Sequence, residues 1–204
     1  MKPLLINLFL VIITFSVYGN TLATKNADGY FRNTTWGMTK KQVKNTENIK
    51  LTNNGDDLIG YATISGYPMG FGYYFINDEL YQGLYFTELK REPTSKYISA
   101  YNHFKELLCT KYGAPKLTDD VYISDNKGFY KRHPENLGKG LIIGEVSYDN
   151  EWETSNTKIM LSMWSTKDGK FSRKIKLWIL YETKNINLLN KIKKQSDSEN
   201  LKDV

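Results

Sequence analysis

Cysteine and histidine are nearly absent from this chain of 204 residues, which has one Cys and two His. With Cys109 as the single cysteine, no disulfide can form within the chain. A zinc site would need carboxylates to complete its four ligands, because His103 and His133 are the only imidazoles and lie far apart in the sequence. The sequence therefore predicts no metal site.

Sequence patterns that mark reactive sites are also missing. The chain has no Gly-x-Ser-x-Gly turn and no His-Glu-x-x-His motif, and at residues 138–140 it has only Gly-Lys-Gly in place of a phosphate-binding loop. Neighbouring acids such as Asp56 and Asp57 are typical of turns. These absences favour a protein without cofactor and without catalytic activity. An envelope enzyme with a dispersed carboxylate site stays an alternative, because such a pair can come from distant segments.

Acidic residues are outnumbered by basic ones, 22 against 28, which gives a formal net charge of +6. The lysines are scattered among the acids, and no nucleic-acid-binding motif is present, so we do not expect nucleic acid as a partner. An anionic component of a bacterial envelope remains a candidate partner, because opposite charges attract over a long range.

The one long hydrophobic run lies at the amino terminus. Residues 4–13 are apolar apart from Asn7, and small residues follow at Gly19 and Ala23, which is the layout of a secretory signal peptide. The run is shorter than the ~20 residues that cross a bilayer, so we expect no stable membrane span after cleavage. No cysteine stands near the cleavage point to accept a lipid. We therefore predict a signal peptide over residues 1–23 and a soluble periplasmic or secreted protein.

The remainder of the chain alternates between strand and helix patterns. Strands are predicted over residues 58–65, 69–77, 80–88, 121–124, 141–148, 157–164 and 173–181. Helices are predicted over residues 40–48, 95–112 and 186–194. Thr39 and Gln42 form a capping box for the first helix, and Gly113 with Pro115 ends the second. This order predicts an α+β fold in which helices pack on one face of a mostly antiparallel β-sheet, with two α/β-meander halves as a variant.

After the leader, enough chain remains for one compact domain. We predict a single α+β domain over residues 24–194 and a polar disordered tail over residues 195–204. Glycines 70, 72 and 83 leave bare backbone in two strands, which suits bending or the close approach of a helix. A small-ligand binder with a pocket between helix and sheet is therefore a further alternative.

The segment Gly-Met-Thr-Lys-Lys-Gln-Val at residues 37–43 resembles the helix entry of BamE (SmpA/OmlA)-type envelope modules, where a G-M-T-x-x-x-V run precedes a β-meander. The resemblance implies an exported α/β-meander module. From Phe31 to Val43 the chain is also similar to uncharacterised exported bacterial proteins with an F-R-x-x-x-W-G-M-[ST]-x-x-x-V opening. By element order alone, it is similar to β-lactamase-inhibitor-like folds, in which helices pack on a curved sheet.

The connection over residues 125–140 is predicted to be a loop and is the candidate binding segment. Connections of this length are uncommon in compact domains unless they are functional or mobile. Its candidate binding residues are Lys127, Phe129, Tyr130, Lys131, Arg132 and Lys139. We expect the aromatics to anchor an anionic or amphipathic partner and the cations to steer its approach. The alternative is a solvated segment whose aromatics pack back onto the body.

These features predict a soluble, exported, non-catalytic binding protein of the bacterial envelope. Its expected partner is an envelope protein or an anionic envelope component. The sequence gives no prediction of oligomeric state.

Overall fold

The computed structural model describes residues 30–89, 93–116, 121–123, 127–168 and 172–200. Within these ranges the chain forms one eight-stranded antiparallel sheet and five α-helices, which confirms the predicted α+β fold. The predicted signal peptide over residues 1–23 lies outside the described residues.

The helices are α1 (Lys40–Thr46), α2 (Thr94–Tyr112), α3 (Lys127–Arg132), α4 (Leu137–Ile143) and α5 (Ile186–Asn200), with a 3-10 turn at Pro134–Asn136. The strands are β1 (Thr52–Asn54), β2 (Asp57–Ile64), β3 (Tyr67–Ile76), β4 (Glu79–Leu89), β5 (Val121–Ile123), β6 (Val146–Glu153), β7 (Thr157–Asp168) and β8 (Ser172–Thr183). Their order across the sheet is β1-β2-β3-β4-β8-β7-β6-β5. Two four-stranded meanders therefore join through the antiparallel pair β4 and β8, and a helix precedes each meander.

Local sequence signals explain the first meander. Thr39 accepts a hydrogen bond from the backbone N–H of Gln42, whose side chain accepts one from the N–H of Thr39, so the predicted capping box is confirmed. Asn77 and Asp78 both have positive φ, 51° and 62°, as a tight two-residue hairpin requires. The alternation that predicts β2, β3 and β4 is confirmed, with ends that shift by one or two residues.

The strand predicted over residues 141–148 is wrong in its first half. The apolar residues at its start end helix α4, and β6 begins only at Val146. Gly144 separates the two elements in the left-handed conformation, with φ of 82°. A short apolar run fits a buried helix end as well as a strand, so its pattern did not distinguish them.

The loop predicted over residues 125–140 is also wrong, because α3, the 3-10 turn and the start of α4 occupy most of it. Glycines at 138 and 140 argue against helix from propensity alone. Here they permit close packing: a Cβ on Gly138 would lie 2.7 Å from Thr94 Cβ, and one on Gly140 would lie 2.6 Å from Val146 Cγ2. Tertiary contact therefore outweighs intrinsic preference in this segment.

Two helix ends also differ from the prediction. Helix α2 begins at Thr94, one residue before the predicted start, and follows Pro93, which makes no side-chain capping bond. Helix α5 continues to Asn200, so the predicted polar tail is helical over residues 195–200, while residues 201–204 lie outside the described part.

The core lies on one side of the sheet, called here the inner face. Helices α1, α2 and α4 contribute buried residues to the same cluster as the inward side chains of the strands. The largest fully buried members are Trp152, Tyr73, Tyr101, Phe31, Phe71 and Phe104. Helices α1, α2 and α4 thus pack on one face of the sheet, as predicted, whereas no described residue of α5 belongs to this core cluster and α5 contacts β3 and β4 near the turn that joins them.

Candidate binding surface on the open face of the sheet

The six candidate binding residues lie on helices. Lys127, Phe129, Tyr130, Lys131 and Arg132 belong to α3, and Lys139 belongs to α4. The side chain of Lys127 lies outside the described part, while those of Lys131, Arg132 and Lys139 are exposed. The structure thus gathers Phe129, Lys131 and Arg132 on one short helix, whereas Lys139 lies on another.

The two aromatics of α3 have different surroundings. Tyr130 is only 4% exposed, and its hydroxyl donates a hydrogen bond of 2.8 Å to Glu145 Oε2. Phe129 is 42% exposed, with its ring centroid 4.9 Å from that of His133. Tyr130 is therefore a core residue rather than an accessible anchor, which corrects its assignment as a binding residue. Of the two aromatics, only Phe129 remains available for contact.

A buried polar network occupies the inner face near the start of the described chain. The Nε and Nη2 atoms of Arg32 each donate a 2.8 Å hydrogen bond to the carboxylate of Glu47, and the Tyr73 hydroxyl donates to Oε1 of the same group. The Arg32 guanidinium lies 4.1 Å from the centroid of the Phe71 ring. Burial raises the pKa of Tyr73 far above its usual value, and the hydrogen bond to Glu47 adds to the rise. Each member has a partner inside the network, so the arrangement stabilises the fold rather than forming a reactive site.

The opening motif of the sequence anchors the chain to the sheet. Phe31 is fully buried against Gly83, where a Cβ would lie 2.1 Å from Phe31 Cγ. The Trp36 indole donates a 2.9 Å hydrogen bond to Thr157 Oγ1 in β7. The N–H of Gly37 bonds to the Leu80 carbonyl at 2.8 Å, so this segment lies along β4. The conspicuous residues of the motif therefore have structural contacts that explain their presence.

Acidic residues on β6 also have structural roles. Glu151 pairs with Lys158 at 3.2 Å, and Glu153 pairs with Lys116 and Lys184. Over the described ranges, no group of three or more His, Cys, Asp and Glu side chains is arranged to hold a metal ion.

The face opposite the core, called here the open face, carries two rows of residues that the strand register aligns across six strands. The first row is Tyr61, Gly70, Phe86, Trp178, Ser162 and Asp149. The second row is Ile59, Gly72, Leu84, Leu180, Met160 and Glu151. The middle of each row is apolar or aromatic, and each row ends on an acid at β6. The result is a continuous apolar band perpendicular to the strands.

Aromatic rings stand on this band. Trp178 packs edge-on against Trp164, with 4.7 Å between ring centroids, and Phe86 packs edge-on against Tyr61 at 6.3 Å. Tyr61 is 72% exposed, the highest value among the large hydrophobic side chains of the described ranges. Leu84 is buried beneath its neighbours, while both tryptophans and Phe86 are half-buried. Their apolar surface therefore remains partly in contact with solvent.

Two glycines of β3, Gly70 and Gly72, leave the band without side chains at these positions. A Cβ on Gly70 would lie 2.3 Å from Phe86 Cζ, and a Cβ on Gly72 would lie 3.1 Å from a ring carbon of Tyr74. Phe86 thus lies flat on the strand. The glycines in strands do not line a pocket under a helix, because Gly83 is covered by Phe31 on the inner face and the other two are covered by these rings.

In the described part of the chain, grooves lie along the open face. One of ≈ 510 Å³ is bordered by Tyr61, Thr63, Pro68, Phe86 and Glu88. One of ≈ 340 Å³ is bordered by Ser147, Asp149, Met160, Ser162, Trp164, Trp178 and Leu180. A third, of ≈ 330 Å³, joins Ile59, Tyr74 and Leu84 to Lys176 and Trp178. A further groove of ≈ 440 Å³ runs between α2 and the ends of β3 and β4, where a small ligand would meet both helix and sheet, and it shares Pro68, Thr87 and Glu88 with the first groove.

Charges surround the band and neutralise one another. Lys174 pairs with Glu88 at 3.4 Å, and Lys158 pairs with Glu151 at 3.2 Å. Helix α5 contacts β3 and β4 near their connecting turn, where Lys191 pairs with Glu79. The open face thus has an apolar centre and a rim of paired charges.

The sequence contained a signal for this surface that the strand patterns did not isolate. Strand β8 is apolar on both of its faces, because Trp178 and Leu180 alternate with the core residues Leu177, Ile179 and Tyr181. Such a strand is usually covered on both faces.

Within the described residues, no helix combines the length and the apolar character needed to span a membrane. Neither a protein-family model, nor a curated protein sequence, nor a solved structure matches the chain.

Proposed function

We propose that this chain is an exported, non-catalytic binding protein of the bacterial envelope, and that it holds a partner protein on the open face of its sheet. The observation that supports this proposal is the aromatic and apolar band across six strands, in which Trp164, Trp178, Phe86 and Tyr61 are exposed in part or in full. Protein interfaces are enriched in Trp, Tyr, Phe and Met at their centre and have a polar rim. The band and its paired rim charges have this composition.

The dimensions of the band favour a macromolecule over a small ligand. Six strands at a spacing of ~4.8 Å give a width of ~24 Å, the scale of an interface that buries ~800 Å² on each partner. The grooves on this face are partly open to solvent. A small-molecule site encloses most of its ligand in a concave pocket, so these grooves fit side chains of a partner better.

Charge pairing favours an envelope protein over an anionic envelope component as the occupant of this face. Three lysines lie near the band: Lys158 and Lys174 each pair with a carboxylate, and Lys176 borders a groove on this face. The acids Asp149, Glu151 and Glu88 lie on the same face, so positive charge does not dominate here and attraction of an anionic surface is weak. The exposed cations Lys131 and Arg132 lie on α3 and keep their predicted role in steering, which stays a prediction.

Affinity capture from the envelope fraction of the source bacterium tests the proposal. The mature protein is compared with the variant Trp164→Ser/Trp178→Ser and with Leu107→Ser as a matched control, because Leu107 is 44% exposed on α2, away from the sheet's open face. We expect a defined protein to be retained by the wild type and the control, and lost from the tryptophan variant. Retention of the same proteins by all three would contradict the proposal. Thermal unfolding of each variant shows whether the fold is kept, and collapse of the tryptophan variant would also count against an open face, because it would make these residues part of the core.

A further inference from the structure

Strand β2 forms an edge of the sheet over most of its length. Its pairing with β1 ends at Thr52 and Ile59. The chain before Thr52 turns toward the inner face, where Leu51 Cδ2 lies 3.0 Å from the position of a Cβ on Gly60. In the described ranges, no backbone hydrogen bond reaches the outer side of residues 60–64. Among the strands that the structure describes, five residues of β2 thus have a neighbour on one side only.

The register identifies which backbone groups are unpaired. Residues 65–66 form a two-residue turn between β2 and β3, so Ile64 and every second residue before it hydrogen-bond to β3. Tyr61 and Thr63 therefore direct their N–H and C=O groups away from β3. The two-residue turn at residues 55–56 between β1 and β2 predicts the same alternation of backbone groups toward and away from β3. Two donors and two acceptors are thus presented along the outer side of this edge.

This edge lacks the features that usually keep edge strands from pairing. Residues 60–64 read Gly-Tyr-Ala-Thr-Ile, with no charge, no proline and no bulge. Beyond the short strand β5, the opposite end of the sheet differs, since β6 carries Asp149, Glu151 and Glu153 there. The Glu151 carbonyl also accepts a 2.7 Å hydrogen bond from the N–H of Lys116. One edge is therefore protected against strand addition and the other is not.

The side chains beside the unprotected edge belong to the open face. Tyr61 and Thr63 are exposed, and with Phe86 and Glu88 they border the groove of ≈ 510 Å³. In a strand added next to β2, every second side chain would project over this face beside Tyr61. Backbone hydrogen bonds and side-chain contacts would then come from the same segment.

We propose that the partner adds an extended segment to β2 as a further strand, hydrogen-bonded to Tyr61 and Thr63. The inference rests on the proposed function, because it specifies how the partner protein contacts the open face at the β2 edge. Main-chain bonds provide affinity and direction in this mode of recognition, and the groove beside Tyr61 provides side-chain selectivity. A segment of five residues spans ~17 Å, the length of the unpaired edge.

Amide hydrogen exchange measured by NMR tests the edge in the free protein. We expect the amides of Tyr61 and Thr63 to exchange as exposed groups, and those of Ala62 and Ile64 to be protected. Protection of Tyr61 and Thr63 in the monomer would show that another part of the chain covers the edge, and would overturn the inference. Protection that increases with protein concentration would assign the edge to a second copy and would overturn it equally.

Selection from a phage-displayed library of random nine-residue peptides tests the binding mode. The variant Thr63→Pro removes the outward N–H without removing a bond to β3, and proline is tolerated on edge strands. Thr63→Val removes the hydroxyl but keeps that N–H, so it is the matched control. We expect peptides selected on the wild type to bind Thr63→Pro at least about tenfold more weakly and Thr63→Val with unchanged affinity, and to protect the Tyr61 and Thr63 amides from exchange. Failure to enrich any peptide, or equal binding to both variants, would overturn the inference.

The envelope capture separates failure of this inference from failure of the proposed function. If Thr63→Pro retains a protein that Trp164→Ser/Trp178→Ser loses, the open face binds a partner and strand addition is wrong. If both variants lose the protein while Thr63→Val retains it, both proposals stand. If all variants retain the same proteins, the proposed function fails together with the inference.

Discussion

The contact between Phe31 and Gly83 offers the sharpest quantitative test of how the chain is anchored to its sheet. Phe31 is fully buried, with its ring centroid 4.8 Å from that of Tyr85, 5.2 Å from Tyr73 and 5.4 Å from Tyr181. A Cβ on Gly83 would lie 2.1 Å from Phe31 Cγ, and rings surround Phe31 on its other sides. The ring therefore rests directly on the backbone of β4 and cannot move away from an added methyl group.

These contacts set the expected free energies. Phe31→Ala should lower the free energy of unfolding by ~3–5 kcal/mol, through lost burial and a cavity. Gly83→Ala should lower it by ~1–3 kcal/mol, because the methyl group overpacks the site. In the double variant the methyl group enters the space that the ring has left. Its loss should therefore be smaller than the sum of the single losses by ~1–2 kcal/mol.

Urea unfolding of the four proteins, followed by far-UV circular dichroism, measures this coupling. Gly70→Ala is the matched control, because its Cβ would lie 2.3 Å from Phe86 Cζ, the far end of a half-buried ring on the open face. That ring can swing toward solvent, so the control should cost less than Gly83→Ala. Additive losses for Phe31 and Gly83, or a larger cost at Gly70, would refute the packing described here.

Further predictions concern buried charge and the helix α3. Burial raises the pKa of the Tyr181 hydroxyl well above its usual value, so the folded protein keeps this proton above pH ~10 while the unfolded chain loses it. The free energy of unfolding should therefore fall by up to ~1.4 kcal/mol per pH unit above pH ~10. Urea unfolding at alkaline pH should show a smaller fall per pH unit for Tyr181→Phe. Arg32→Leu leaves the Glu47 carboxylate, which is 1% exposed, without its cation, and should lower the free energy of unfolding by ~3–5 kcal/mol. The double variant Arg32→Leu/Glu47→Leu should recover part of this loss, and a double variant no more stable than Arg32→Leu would contradict the reasoning. Tyr130→Ala should cost ~3–5 kcal/mol, whereas Phe129→Ala should stay within about 1 kcal/mol; equal shifts in thermal unfolding would contradict their different burial.

Local signals predicted most of the sheet and the main helix. Side-chain alternation around Phe71 and Leu177 is a backbone property that needs no knowledge of the remaining chain. The capping box at Thr39 likewise acts between neighbours in the sequence. The failures at α3 and α4 have the opposite origin, since Gly138 lies in a helix at a point where Thr94 of another helix packs closely against it. Contacts between distant residues override local preference there, and sequence patterns do not contain them.

The open face could be predicted only in part, for a related reason. Alternation shows that Trp178 and Leu177 lie on opposite faces of β8, but not which face the helices cover. Because α1, α2 and α4 all contribute to the inner core, the apolar residues of the other face keep solvent contact. Burying apolar surface contributes ~25 cal/mol of free energy per Å². In the described chain, Trp178, Trp164 and Met160 are only half-buried, so part of this free energy remains available from covering them. An apolar band of this width on a chain otherwise rich in lysine is therefore best explained by an occupant, and a partner's added strand would supply both the cover for Tyr61 and the hydrogen bonds that β2 lacks.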